Sequence, residues 1–325
     1  MNQIVSMQPV QGVKASRGAI VLLLMFTMLG CRAEGEPERV QAVEAPASKV
    51  GVLLVNHGSR SKTWRDALLD LEFRVKDRLM KQVSVAGVRT AFMEYTEPSI
   101  ATQLKKFDDE GYSDVILVPV FLTVSSHSFD DIPTIVGSKE DPLSVQTLKL
   151  EGIERYTPKA RAIATPLLDF SDLLQSNILR RAQALSTDPS QEGIVLVAYG
   201  DKTYERHWSA LLTQVQEHVA QRLGITKFAQ AWCGHLVHYD PARTTEAVEA
   251  VLNDRARAIV IPVLVAHDEQ FQINIIGTGI EAVEDFRERV IYRPDAILPD
   301  ENVENWVIQV VRESVVRLNS ADGGV

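Results

Sequence analysis

Two kinds of hydrophobic pattern alternate along this chain. Short apolar runs at 52–56, 88–93 and 115–121 are separated by longer segments, 63–80 and 99–110, in which apolar positions recur every three or four residues. The first kind predicts strands and the second amphipathic helices. The strand runs are almost continuously apolar, as in strands covered on both faces, and the alternation with helices predicts an α/β fold built on parallel sheets.

The pattern then repeats. Val52-Leu53-Leu54-Val55 runs into Asn56-His57-Gly58, and Ile194-Val195-Leu196-Val197 runs into Ala198-Tyr199-Gly200, at an offset of 142 positions. Glu97-Pro98 and Asp240-Pro241 each open a helical stretch, and the apolar runs 115–121 and 258–265 carry Pro119 and Pro262; both pairs recur at an offset of 143. A constant offset across separate landmarks marks duplication of one unit. The predicted organisation is an N-terminal α/β domain, 49–187, and a similar C-terminal one, 188–320, meeting at the turn-rich stretch 187–192, with a tail at 321–325.

Ahead of the first strand, Lys14 and Arg17 precede an apolar run, 19–29, whose 11 residues fall short of the about 20 that a bilayer core needs. This is the pattern of an export signal, 1–30. Met28-Leu29-Gly30-Cys31 resembles the lipobox of bacterial lipoproteins, which makes Cys31 a candidate for lipidation and predicts a membrane-anchored protein on the periplasmic or cell-surface side. Residues 31–48, rich in Glu, Ala and Pro and without an aromatic, read as a disordered tether.

Composition narrows the chemistry. A chain that is 45% hydrophobic and 24% charged has the makings of a core, and its net charge of −9 offers no field for a phosphate backbone, so nucleic acid is not an expected partner. Cys31 and Cys233 are the only cysteines, so a metal would be held by His, Asp or Glu. Phosphate-loop, nucleophile-elbow, His-Glu-x-x-His and dinucleotide motifs are absent from the sequence.

Ligands of open parallel sheets bind beyond the carboxyl ends of the strands. There stand His57 after the first strand, Glu94 at the end of the second, and His127 after the third, with Asp130 and Asp131 behind it as helix N-terminal carboxylates. Two imidazoles and a carboxylate converging on one edge suit Fe²⁺, Co²⁺, Ni²⁺ or Zn²⁺ and leave coordination positions open. In the second unit the matching positions are Tyr199, Val237 and Gln270, so the fold is kept and the ligands are not. His235, His238 and His267 lie near them, as a second metal or axial-ligand site or as ordinary loop histidines.

Leu54-Val55-Asn56-His57-Gly58-Ser59-Arg60, Phe92-Met93-Glu94 with Glu97-Pro98-Ser99-Ile100, Val118-Pro119-Val120-Phe121-Leu122, and His127 with Asp131-Ile132-Pro133 resemble, as an ordered set, the sirohydrochlorin chelatase family of class II chelatases, the CbiX and SirB type. The resemblance implies two chelatase-like domains, the second a degenerate copy, and insertion of Co²⁺ or Fe²⁺ into sirohydrochlorin or a related tetrapyrrole without ATP. The metal is then a substrate, Ni²⁺ fits the same ligands, and no organic cofactor is expected. His57 and His127 match the family's metal-binding histidines and Glu94 its active-site glutamate, facing a cleft between the domains. Ser59, Arg60, Ser125 and Ser126 are placed to bond the substrate's carboxylates, with Arg89 and Lys202 weaker candidates; the same residues equally cap helices and turns. Because cobalamin and siroheme are made in the cytoplasm, an exported copy opens a second reading, a membrane-tethered tetrapyrrole or metal carrier without turnover that uses the second-unit histidines. A homo-oligomer is compatible with both.

Overall fold

The computed structural model describes residues 48–322, apart from 82–84, 123–124, 126, 169 and 235–238. The readings of 1–47, Cys31 among them, and those of Ser126, His235, Val237 and His238 lie outside the described residues.

The first half runs β1 (Val50–Asn56), α1 (Lys62–Met80), β2 (Val85–Phe92), α2 (Ile100–Asp109) and β3 (Asp114–Pro119), then a π-helical turn, His127–Asp131, followed by α3 (Ile132–Ile135), α4 (Pro142–Glu151), β4 (Arg161–Ala164) and α5 (Phe170–Leu185). The second half runs β5 (Glu192–Ala198), α6 (Glu205–Leu223), β6 (Lys227–Trp232), α7 (Ala242–Leu252) and β7 (Arg257–Val263). A second π-helical turn, Gln270–Gly277, then leads through α8 (Thr278–Glu281), α9 (Phe286–Arg289) and β8 (Val290–Tyr292) to α10 (Glu301–Asp322). Each half holds a four-stranded parallel sheet, ordered β2-β1-β3-β4 and β6-β5-β7-β8. The fold is α/β, as the alternating patterns predict, and the shared strand order is the duplication seen in three dimensions.

Local chemistry sets the element ends. Ser61 caps α1 by accepting from the Trp64 N–H, Ser99 caps α2 by accepting from Thr102, and Asp141 caps α4 by accepting from Ser144 just ahead of Pro142. The apolar run that predicts a strand to residue 121 leaves regular β structure at Pro119, although the Val120 N–H still reaches the Val55 carbonyl at 2.8 Å.

Successive residues of the central strands enter different cores. Val52 and Leu54 of β1, and Ile194 and Leu196 of β5, share one core with α1, α5, α6 and α10. Leu53 and Val55 pack outward on α2, α3 and α4, and Val195 and Val197 outward on α7 and the second π-helical turn. Within the shared core the helix that ends each half lies on the other half: α5 on α6 and β7, α10 on α1 and β3. Among the described residues no helix is long and apolar enough to cross a membrane.

Candidate metal centre

The β1–β2 pairing extends past the strands and carries two chemical residues with it. Met93 N–H donates to the Asn56 carbonyl and Glu94 N–H to the His57 carbonyl, both at 2.8 Å, which sets Glu94 beside His57. The turn that follows needs glycine: Gly58 has φ +104°, and a Cβ there would lie 2.1 Å from the Glu94 carbonyl oxygen. Tyr95, also left-handed at φ 63°, turns the chain away after Glu94. The π-helical turn after β3 then brings in His127, with its ring centroid 4.9 Å from that of His57.

His57, Glu94 and His127 thus offer ligand atoms that all lie within 4.8 Å of one another. Each imidazole is oriented through its other nitrogen. His57 Nδ1 lies 3.0 Å from the Gly58 carbonyl, which can only accept, so Nδ1 carries the proton and Nε2 the lone pair. His127 Nδ1 lies 2.7 Å from the Asp131 carboxylate, so Nδ1 again carries the proton, and the neutral ring leaves its lone pair on Nε2. Asp131 occupies the position before α3 but makes no side-chain cap, so the helix-terminal role read from its sequence position gives way to one on His127. Asp130 pairs with Lys139.

The charges around the triad are coupled. Burial disfavours the His127 cation, but the hydrogen bond and charge of Asp131, with Glu94 and Glu151 behind, outweigh it and raise the imidazole's pKa. Burial likewise opposes the Asp131 carboxylate, yet His127 and Ser144 hold it below its usual range. Burial and the adjacent Glu94 charge push the Tyr95 phenol up to about 12. Glu151, the last residue of α4, is raised by burial and then by Glu94, against which it sets a second carboxyl. Nothing in the sequence around Glu151 signals this, whereas the i, i+4 spacing of His127 and Asp131 does.

His57 and His127 open onto a cleft of about 860 Å³ lined by both halves. Ser59 and Arg60 line it from the β1–α1 loop, but the Ser59 hydroxyl donates to Asp268 of the second half at 2.7 Å, so it ties the cleft's two walls together. Arg60 lies over the Tyr95 ring at 5.2 Å. Ser125 lines the cleft and is buried. Arg89 turns away, onto Glu110 and over the Phe107 ring, and Lys202 is exposed beside Asp201. Of the second-unit histidines, His267 is described, with Nδ1 2.8 Å from the Pro294 carbonyl. Tyr199 and Gln270, which take the places of His57 and His127 in the repeat, line the opposite wall.

The family model falls on the half that holds the triad. The CbiX family model covers residues 51–185. A sirohydrochlorin cobaltochelatase of Methanocaldococcus jannaschii is 37% identical over 90 residues, 28% of this chain and 60% of that protein. That of Methanococcoides burtonii is 34% identical over 96 residues, 30% of this chain and 69% of that protein. The chain therefore spans about three fifths of the first relative's length and somewhat more of the second's. Solved structures extend the likeness of fold to both halves. The sirohydrochlorin chelatase SirB of Bacillus subtilis subspecies spizizenii, in complex with cobalt, gives a TM-score of 0.57 at 17% identity over 82% of this chain and 94% of that one. SirB from Bacillus subtilis with Fe³⁺ gives 0.60 at 16% identity over 84% and 98%. With the family model on the half that carries His57, Glu94 and His127, a relative 34% identical over 69% of its length, and the architecture shared throughout, this chain belongs to the sirohydrochlorin chelatase family.

Proposed function

We propose that the chain inserts a divalent metal ion, cobalt or ferrous iron, into sirohydrochlorin or a related tetrapyrrole held in the cleft, without ATP or an organic cofactor. The observation that carries this reading is the convergence of His57, Glu94 and His127, the two histidines standing on the wall of a cleft that both halves line. Metallation requires a cation stripped of part of its water and the removal of the pyrrole N–H protons. Two imidazoles with fixed lone pairs and one carboxylate supply ligands for the first task and leave the metal's remaining positions open. Glu94, with Glu151 against it, supplies carboxyl groups for the second.

The test is anaerobic incubation of the purified chain with sirohydrochlorin and Co²⁺ or Fe²⁺, followed by absorption spectroscopy against a protein-free control. Catalytic loss of the free-base bands is expected, with His57→Ala and His127→Ala each slowing it by about 10²-fold or more, the scale of a lost acid–base or ligand group. Unchanged rates in both variants would falsify the assignment. A spectral change that stops at one equivalent of protein would instead mark a carrier.

Export and lipid anchoring at Cys31 are part of the same proposal and rest on the sequence pattern. Expression in a lipoprotein-processing bacterium should place the chain in the membrane fraction. The Cys31→Ala variant should lose that membrane association.

A further inference from the structure

The two imidazoles of the metal centre are held in different ways. His127 rests on the carboxylate of Asp131, within its own half. His57 rests on the Gly58 carbonyl, 3.0 Å from its Nδ1, and that carbonyl belongs to the peptide unit joining Gly58 to Ser59. Glycine leaves such a unit free to swing about its own dihedrals, so the direction of the carbonyl is set by whatever fixes Ser59.

Ser59 is fixed on three sides. Its hydroxyl accepts from the Ser61 N–H at 3.0 Å and donates to Asp268 Oδ2 at 2.7 Å, and its carbonyl accepts from Arg65 at 2.7 Å. Ser61 and Arg65 belong to the start of α1, so they tie Ser59 to the helix that follows it. Asp268 ties it to the second half.

Asp268 is itself firmly held. It is 7% exposed, and its other carboxylate oxygen accepts from the Gln270 N–H at 3.0 Å. Its carbonyl accepts from the N–H groups of Phe271 and Gln272, both at 3.0 Å, and its own N–H donates to Oε1 of the fully buried Gln272 at 2.9 Å. A hydroxyl bonded to a carboxylate fixed in this way makes a charge-assisted contact, roughly twice as strong as one between neutral groups. At the repeat offset of 143, Asp268 falls on Ser125, so the carboxylate is the second half's own.

We propose that Asp268 is a positioning residue of the metal centre: through Ser59 it sets the Gly58 carbonyl that orients His57, so the half without the ligands holds one of them in register. This rests on the reading of His57 as a metal ligand and goes further by giving the second half a share in the coordination geometry. Losing the outer partner of a ligating imidazole costs about 10–100-fold in metal affinity. Asp268 acts from further out, so an effect at the lower end is expected.

The experiment titrates the purified apo full chain with Co²⁺ by calorimetry and records the visible bands of the bound ion, which report the geometry of its ligands. Ser59→Ala and Asp268→Ala are each expected to weaken binding about tenfold and to shift the bands. In the double variant the loss should be no greater than in the more affected single one, because both changes break the same connection. Asp268→Asn, whose side-chain amide can still bond the Ser59 hydroxyl, should recover most of the affinity and the parent's bands. Ser59→Ala leaves the bonds of Asp268 within the second half in place, so it carries the test if Asp268→Ala does not fold. Parent-like affinity and bands in Ser59→Ala overturn the proposal. Losses that multiply in the double variant overturn it too, since Asp268 would then act by another route. Co²⁺ binding that His57→Ala leaves unchanged overturns the metal centre itself and this inference with it. Co²⁺ binding that depends on Ser59 and Asp268 in a chain that shows no turnover would overturn the proposed reaction and leave Asp268 in its role.

Discussion

An imidazole makes a directed metal ligand only when its second nitrogen is held, and at His127 the holder is Asp131, 2.7 Å from Nδ1. Replacing Asp131 by Asn keeps the size and removes the charge. Metal affinity is expected to fall by about 10–100-fold, the usual cost of losing an oriented outer partner. Calorimetric titration of the apo chain with Co²⁺ reads this directly, and an affinity equal to that of the unaltered protein would remove Asp131 from the site. At this scale the sequence is informative where chemistry follows a strand. His57, Glu94 and His127 could be picked out because each stands at or beyond a strand's carboxyl end, where ligands of parallel sheets gather. It is silent where two distant segments meet. The partners in the Ser59–Asp268 bond lie 209 positions apart, and no local pattern in either segment points to the other.

The elements themselves were legible for the same reason that their joints were not. The runs of β1, β2 and β3 and the periodic faces of α1 and α2 reflect burial, which hydrophobic pattern encodes. The two π-helical turns depend on backbone hydrogen bonds that no such pattern records. The joint between the halves is a case in point, a turn-rich break in sequence that is organised by one buried acid. Glu192 opens β5, is 0% exposed, and accepts from the Ser186 hydroxyl at 2.6 Å and the N–H groups of Thr187 and Asp188 at 3.1 Å, while Arg257 lies 3.0 Å away. Burial pushes its pKa up, but these hydrogen bonds prevail and hold it below its ordinary value near 4.5. A carboxyl whose pKa is lowered by folding contributes stability above its unfolded pKa, and that contribution is lost as pH falls through the folded pKa. Glu192→Gln should therefore cost about 1–3 kcal/mol at neutral pH and flatten the acid side of a plot of Tm against pH. A variant curve parallel to that of the parent throughout would show that Glu192 does not titrate with folding.

At the scale of the molecule, each half is finished by the other. A helix with an apolar face declares in sequence that it is buried, not what it is buried against, and only the structure shows α5 and α10 exchanged between the halves. Val303, Val307, Ile308, Val310, Val311, Val315 and Leu318 of α10 are all buried, and the helix lies on α1 and β3 of the first half. At about 1.5–3 kcal/mol for each side chain so buried, the gross contribution is on the order of 10 kcal/mol, comparable to the whole net stability of a domain. The first half alone, residues 49–187, would leave that face open and would also leave α5 without α6 and β7. The two defects are complementary. Under the repeat α1 corresponds to α6 and β3 to β7, and Leu174, Ile178 and Ala182 of α5 carry the same four-residue spacing as Val307, Val311 and Val315 of α10. In a pair of first halves, each α5 can therefore cover the α1–β3 face of its partner, a closed two-fold exchange. Light scattering of the isolated half should find a dimer whose melting temperature rises with concentration. A folded monomer as stable as the parent chain would show that the exchanged helices are dispensable.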